Sequence, residues 1–434
     1  MAYKLSIFWF RRDLRLHDNH GFFQSLTQSE SVLPIFIFDP HILDKLSNDD
    51  RRVSLLMDRL NSLNKQLEKI GKKIHIMYGN PKDVIEEISE KINAQALYTN
   101  TDYEPYATKR DRTVKQLLSK KNIKFNSFKD QVIFEKNEIL TNTEKPYSIY
   151  TPYMKKWMSK FKISLTKPYP SQDLIHKCVV INSLQCITSL EQIRFKYASY
   201  ILNEPKLDYR TLLDYENTRN NPDCEGTSFL STHLRFGFVS VREVVNIAYQ
   251  YSETFLKEII WRSFFAQVLW HNPRVVHSCY KEKYDAIEWE ENTDLFRKWK
   301  YGETGFLMVD AGMRELYETG YMHGRVRMLT ASFLVKNMGI DWRLGEAYFA
   351  SLLLDYDLAS NNGNWQWVAG TGCDSSPYFR IFNPETQRKN FDPNYTYCKK
   401  WISELREDGR YTTPKILDLK STAALSINRY KQCL

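Results

Sequence analysis

In EIIWRSFF, the residues Glu258, Trp261, Arg262 and Phe265 recur at i, i+3, i+4 and i+7, the spacing of one helix face. Such a face offers an acceptor, a stacking plate and a cation to a planar, hydrogen-bonding ligand. It can equally be a partly exposed helix on which Glu258 and Arg262 pair with each other, an interaction worth little. Gly226-Thr227-Ser228-Phe229-Leu230-Ser231 places hydroxyls and backbone N–H groups ahead of a helical pattern. That is the chemistry of phosphate capture, although a plain N-cap uses the same residue types. Tyr215 and Arg219 lie just upstream and could add a hydroxyl and a guanidinium fork. Acidic, amide and indole groups crowd into 355–367, where Asp355 and Asp357 could pair with Arg327 and an amide could meet a ring nitrogen. A polar loop capping a helix is the ordinary alternative. Seven of the ten Trp lie between Trp261 and Trp367, a density that suits stacking on flat rings.

These groups need elements to position them. Runs 4–10 (KLSIFWF) and 32–38 (VLPIFIF) are short, apolar and aromatic-rich, ending at Arg11 and Asp39, as buried strands do. Residues 52–70 carry Leu55, Leu56, Leu60, Leu63, Leu67 and Ile70 as a helical stripe stopped by Gly71. Strand patterns at 73–78, 96–99 and 123–128 alternate with helical ones at 81–92 and 105–119. The alternation predicts a doubly wound, Rossmann-like parallel sheet that binds ligands beyond the carboxyl ends of its strands. Neither G-x-G-x-x-G nor G-x-x-x-x-G-K-[ST] occurs there, so it is not an ordinary dinucleotide or nucleoside-triphosphate binder. The Pro-punctuated stretch 131–200 reads as a connector with a short helix near 153–161. Beyond Tyr209 the patterns are helical, as at 240–251, 253–269, 310–319, 325–337 and 343–354. The expected class is α/β plus all-α, with 1–130 the α/β domain, 131–200 the connector and 201–434 the helical domain.

Composition narrows the function classes. At 434 residues, 42% hydrophobic and 26% charged, the chain can build two or three cored domains and is not a disordered protein. No apolar run reaches about 18 residues. MAYKLSIFWFRRDLRLHDN turns charged early without a small-residue cleavage site. A membrane span and a signal peptide are therefore not expected, and a cytoplasmic location is. Seven Cys stand singly, with no C-x-x-C, no H-E-x-x-H and no His-rich tract, which predicts reduced thiols and no metal site. The net charge of +9 favours a polyanionic partner such as nucleic acid; a protein that merely happens to be basic has the same balance.

Seven segments, taken in order from residue 6 to residue 387, resemble the DNA photolyase/cryptochrome family. They are FWFRRDLRLHDN, YEPYATKRDR, GTSFLSTHLRFG, EIIWRSFF, TGFLMVDAGMRELYETGYMHGRVRM, ASFLVKNMGIDWRLGEAYF and DLASNNGNWQWVAGTGCDSSPYFRIFNPETQ. The set is most similar to class I cyclobutane pyrimidine dimer photolyases. The resemblance implies FAD bound noncovalently in the helical domain. Thr227, Ser228, Leu230 and Ser231 would hold its phosphates, with Tyr215 and Phe229 beside them. Arg327 would pair with Asp355 beside the flavin, Asp357 would contact it, and Arg262 would add charge. Asn361 matches the asparagine facing flavin N5, where plant cryptochromes carry Asp. Trp365, Trp342 and Trp289 match the chain of indoles that passes electrons to photoexcited flavin. Glu258, Trp261, Met328 and Trp367 would line the lesion pocket, with Gly324 and Gln387 also on the DNA side. Arg219, Arg325 and Arg380 would clamp phosphates. Glu258 would hydrogen-bond the thymine edge, and if an apolar pocket raised its pKa it would act as a donor.

By the same resemblance the reaction is light-driven electron donation from reduced flavin to a pyrimidine dimer in UV-damaged DNA, flipped out of the duplex. The family usually has Asn where this chain has Gly324, and losing that amide would cost about 1 kcal/mol in binding. Gly324 also departs from the second His of the six-four photolyases and from the Ser-Asn-Arg pattern of DASH-type cryptochromes. A second, antenna chromophore (folate, deazaflavin or flavin mononucleotide) would sit in the α/β domain. Asn100, Asp102, Glu104 and the run Lys109, Arg110, Asp111, Arg112 match a region shared by several antenna types. The apolar Val275 and Val276 weigh against folate. The enzyme would act as a monomer without an obligate protein partner or a membrane. Two other readings stand beside it. A cryptochrome-like photoreceptor usually needs a C-terminal extension, and the short stretch after Gln387 has no disordered tail. A non-photochemical nucleic-acid-binding module leaves Asn361 and the three Trp unexplained.

Overall fold

Five apolar runs of the first third become parallel strands: β1 (Tyr3–Phe10), β2 (Ser29–Phe38), β3 (His75–Tyr78), β4 (Ala96–Asn100) and β5 (Lys124–Phe128). The computed structural model describes residues 2–224 and 226–433. The strands lie in the order β3-β2-β1-β4-β5, with β1 in register with β2 from Tyr3↔Ser29 to Phe10↔Phe36. β1, β2 and β4 are buried over most of their length, which is why they read as continuous apolar runs and not as alternating ones. Helices α1 (His20–Gln28), α2 (Arg51–Glu68), α3 (Pro81–Lys91) and α4 (Pro105–Lys120) connect them. The sheet and helices agree with the doubly wound expectation to within a residue or two at most ends. α1 was not expected: it is short, opened by the Asn19 side chain accepting from Phe22 N–H, and too brief to show a helical stripe.

The chain divides into two compact units that are not consecutive in sequence. The first comprises residues up to Glu135, Lys160–Leu202 and Leu230–Ile247; the second comprises Lys136–Ser159, Asn203–Phe229 and Ala248 onward. A linear cut at residues 130 and 200 would instead put 230–247 with the helical part. A buried ionic cluster explains the return of that segment. Arg242 Nε donates to Asp18 Oδ1 at 2.8 Å and Arg242 Nη2 to Asp130 Oδ1 at 2.8 Å, while Arg15 Nη2 donates to Asp130 Oδ2 at 2.6 Å. Burial alone would raise the Asp130 carboxyl, but Arg15 and Arg242 outweigh it and hold it at about 2. Nearby, Gly237 sits at φ +66° with its Cα so close to the Arg12 carbonyl that a Cβ would lie 2.3 Å from the oxygen. Only glycine fits there.

The second unit is helical, matching the all-α expectation. Its principal helices are α5 (Glu253–His271), α6 (Thr293–Tyr301), α7 (Leu307–Thr319), α8 (Gly324–Ser332), α9 (Trp342–Leu352), α10 (Leu358–Ala369) and α11 (Leu419–Lys431). Their core gathers Trp299, Phe306, Met313, Phe333, Trp342 and Trp365, all nearly inaccessible to solvent. α8 runs into a π-turn at Phe333–Asn337 that aims buried Lys336 at the Ala369 carbonyl, 2.8 Å away, and at the face of Tyr430. No helix among the described residues is long and apolar enough to cross a membrane.

Candidate functional site

The second unit brings most of the sequence candidates together. Helix α5 carries Glu258, Trp261, Arg262 and Phe265, and Ser252 caps its start by accepting from Phe255 N–H. Glu258 does not pair with Arg262. Its Oε1 lies 2.6 Å from Arg219 Nη1. The apolar surroundings expected for this carboxyl are therefore not what the structure shows, because a guanidinium from the segment after Tyr215 reaches across to it. Trp261 is half-buried and stacks on Tyr150, with ring centroids 3.6 Å apart and planes 9° from parallel. Tyr150 Oη donates to Lys257 O at 2.7 Å, and burial followed by the Glu258 charge pushes its hydroxyl well up. Tyr150 escaped the sequence reading because it lies in the stretch taken for a connector, where no periodicity marks it.

Three arginines expected to hold phosphates face one another. Burial, then the charges of Arg219 and Arg380, lower the Arg325 guanidinium from its ordinary value. Arg325 Nη2 donates to Asn220 Oδ1 at 2.6 Å, its Nε is buried without a hydrogen-bond partner, and the group stacks over Phe391. Asn220, adjacent to Arg219, is a second residue the sequence did not single out. Gly324 opens α8 beside Arg325, exposed, and a Cβ on it would meet nothing within 4 Å. His323 caps that helix: its Nδ1 accepts from Arg325 N–H at 3.1 Å, so in this tautomer the proton sits on Nε2. Burial, then Arg327 and Arg325, keep the imidazole down at about 4. Met328, Trp367 and Gln387 are each half-buried, on α8, α10 and the helix Pro384–Phe391 respectively.

The remaining candidates form a polar cradle. Arg327 Nη2 and Nη1 lie 2.8 and 3.2 Å from the two Asp355 oxygens. Burial would lower this guanidinium, but Asp355 outweighs it and raises it. Asp357 does not reach Arg327 as an ion pair; it caps α10, accepting from Ser360 N–H at 3.0 Å. One turn on, Asn361 Nδ2 donates to Glu346 Oε1 at 2.9 Å and to Glu346 O at 3.2 Å, which fixes the amide's orientation. Burial raises the Glu346 carboxyl. The Thr227 hydroxyl lies 3.4 Å from Tyr321 Oη, which burial pushes up to about 12. Ser228 is buried, Tyr215 is buried against Phe255, and Phe229 holds a left-handed φ of 52°, the kind of strain that gathers at binding sites. Leu230 and Ser231 follow as the chain re-enters the first unit, where the helix Ser231–Phe236 starts without a side-chain cap.

Of the three expected relay indoles, Trp365 and Trp342 are fully buried and Trp289 is half-buried. A Cβ on Gly345 would stand 2.2 Å from Trp365, so this glycine lets the Trp365 ring rest on the α9 backbone one turn from Trp342. Trp289 meets Tyr430 edge to face at 6.2 Å.

Two family profiles match. The FAD binding domain of DNA photolyase covers residues 255–429, and DNA photolyase covers residues 6–172. The chain belongs to the DNA photolyase/cryptochrome family. It is 35% identical over 426 residues to the deoxyribodipyrimidine photo-lyase of Synechococcus, covering 92% of this chain and 88% of that one. A bacterial class III photolyase from Agrobacterium tumefaciens superposes with a TM-score of 0.87 at 28% identity, over 100% of this chain and 98% of that one. An archaeal photolyase from Sulfolobus tokodaii with two FAD molecules gives 0.86 at 32% identity, over 99% and 100%. As a photolyase-family protein the chain is a lyase with an FAD-binding domain. The residues present fit that cofactor. The Arg327–Asp355 pair, the oriented Asn361 amide and the hydroxyls at Thr227 and Ser228 offer the donors and acceptors that a flavin ring and its phosphates require.

In the first unit, the carboxyl ends of β1 and β4, where strand order reverses, carry the residues matched to an antenna. Asn100 Nδ2 donates to Asp13 Oδ2 at 2.5 Å and to Asn19 Oδ1 at 2.8 Å. Arg12 Nη1 pairs with Glu104 at 2.9 Å and Asp102 at 3.3 Å, and Arg11 Nη1 with Asp111 at 2.6 Å. Burial would raise the Asp102 carboxyl, but Arg12, Arg11 and Arg235 outweigh it and hold it low. Arg110 lies over the Trp9 ring at 4.7 Å. Lys109 and Arg112 are exposed.

Proposed function

We propose that this chain is a deoxyribodipyrimidine photo-lyase that splits cyclobutane pyrimidine dimers in UV-damaged DNA. The observation that carries this reading is the cluster of Arg219, Arg325 and Arg380 next to Glu258 and Trp261. Arg325, whose Nε is buried without a hydrogen-bond partner, feels the charges of both Arg219 and Arg380, and such a positive face suits a polyanion. Class I membership rests on the resemblance of the seven segments.

Bound FAD, reduced and illuminated, would supply the electron that opens the cyclobutane ring. Arg325 and Arg380 hold phosphates flanking the lesion and set its register. Arg219 fixes the Glu258 carboxylate through Oε1, leaving Oε2 to accept from a pyrimidine N–H, so Glu258 orients the lesion as an acceptor. Trp261, braced by Tyr150, and Trp367 wall the pocket and exclude water. Asn361, held by Glu346, keeps one amide geometry towards the flavin. A second chromophore in the first unit would lie at the strand switch point; folate, deazaflavin and flavin mononucleotide all remain candidates. The enzyme acts as a monomer in this reading.

The test is blue-light treatment of UV-irradiated oligothymidine with reduced holoenzyme. Recovery of the ultraviolet absorbance of the thymine bases, lost in Glu258→Ala, is expected. Flavin photochemistry without dimer loss would replace this reading with a cryptochrome-like photoreceptor.

A further inference from the structure

A cavity in the first unit shares no residue with the flavin, lesion or antenna candidates. Its volume is about 140 Å³. A single water needs about 10–15 Å³, so the space takes a molecule of about ten non-hydrogen atoms and is too small for a nucleotide. Stretches far apart in sequence build it. Arg59, Leu63 and Gln66 come from one face of α2 at i, i+4 and i+7, Leu16 follows β1, and Phe238 and Glu243 belong to the segment that returns to this unit.

Arg59 is the group in this lining that lacks a counter-charge. Its Nε donates to Leu14 O at 2.9 Å, and its guanidinium lies over the Phe238 ring, 4.9 Å from the centroid. These two contacts fix the plane of the fork and leave Nη1 and Nη2 without an acceptor among the described residues. No carboxylate raises this guanidinium: burial, then the charge of Arg15, act on it, and both lower it. Arg15 brings no spare counter-charge, since the two Asp130 oxygens are already taken by Arg15 and Arg242. A planar fork held in one orientation matches a carboxylate through two parallel hydrogen bonds.

We propose that this cavity binds a small 2-hydroxycarboxylate. The carboxylate takes the two terminal nitrogens of Arg59, the carbon chain lies against Leu16, Leu63 and Phe238, and the hydroxyl donates to Glu243. Phosphate suits the lining less well. It carries more than one negative charge at neutral pH, whereas one unpaired guanidinium balances a single charge and the Glu243 carboxylate opposes a second. The site does not depend on what the chain does to DNA.

The experiment labels the full-length, FAD-loaded protein with phenylglyoxal, which attacks guanidiniums, and maps the labelled arginines by peptide mass spectrometry. Lactate, propionate and inorganic phosphate are titrated in turn. Lactate at about ten times its dissociation constant should slow labelling of Arg59 about tenfold and leave exposed Arg112 unchanged. Propionate, which has no hydroxyl, should protect Arg59 only at higher concentration. Glu243 is exposed, so Glu243→Ala leaves the fold alone, and in that variant lactate and propionate should protect alike. Labelling of Arg59 that ignores lactate, or an Arg59 that is never labelled, overturns the site. Stronger protection by phosphate than by lactate overturns the hydroxycarboxylate, and so does a preference for lactate that survives in Glu243→Ala.

Discussion

Replacing Glu315 by glutamine should tilt the pH dependence of stability, and the sign follows from two buried groups near the start of α8. Glu315 in α7 is 7% exposed; it accepts from Tyr397 Oη at 2.6 Å and faces the His323 N–H at 3.5 Å. Burial pushes its carboxyl from 4.5 up to about 7. Between those values the folded chain holds one proton more than the unfolded chain. Stability therefore falls as pH rises, by about 1.4 kcal/mol per unit and about 3 kcal/mol in all above pH 7. His323 does the opposite. Its imidazole is held at about 4 against 6.5 in the unfolded chain, so across that window the unfolded chain holds the extra proton and stability rises with pH. From pH 4.5 to 6.5 the two slopes cancel. Glutamine keeps an acceptor for Tyr397 and cannot ionise, so Glu315→Gln leaves the His323 slope exposed. Urea unfolding of both proteins between about pH 4 and about pH 8 measures it. The variant should gain relative stability steadily from about pH 4.5 to about pH 7, by up to about 3 kcal/mol. Parallel curves across that range would refute the argument.

Three further outcomes are expected. Arg325→Ala should weaken binding to irradiated DNA and lower the slope of log affinity against log salt by about one; an unchanged slope means no phosphate is held there. Gly324→Asn should change stability by less than about 0.5 kcal/mol, since its Cβ meets open space. It should also tighten lesion binding by about 1 kcal/mol, read from titration with irradiated oligothymidine; a misfolded variant would show that the space is not there. Asp130→Asn should cost about 3–5 kcal/mol in denaturant unfolding at neutral pH, because it strips the counter-charge from buried Arg15 and Arg242. The native contribution is present above the unfolded Asp value of 3.8 and is lost as pH falls towards 2; a small effect at neutral pH would mean that Asp18 alone holds both arginines.

The sheet was legible because β1, β2 and β4 are buried on both faces and so advertise themselves as unbroken apolar runs, and because α2 repeats its leucines at helical spacing. The return of 230–247 to the first unit was not. It depends on Arg242, Asp18 and Asp130 converging in space, and charged residues far apart in sequence carry no periodic mark. The same limit governs the site. Glu258, Arg262 and Trp261 could be placed on one helix face by counting, yet counting could not choose Arg219 over Arg262 as the partner of Glu258. Asn361 stood out as an amide in an indole-rich run, whereas Glu346, which orients it, looked like any surface glutamate of α9. Tyr150 and Asn220 lay in stretches without periodicity.

The recurring pattern is that the candidate site residues cluster along the chain, while those that orient them come from elsewhere. The orienting residues also decide the chemistry. A Glu258 held by Arg219 is an acceptor fixed in direction, and an Asn361 held by Glu346 cannot flip its amide. In the proposed reading each pair leaves one face of a side chain for the ligand by tying down the other. Preorganisation of this kind matters most when the step is an electron transfer, where no proton donor or nucleophile moves and the protein acts only through position and field.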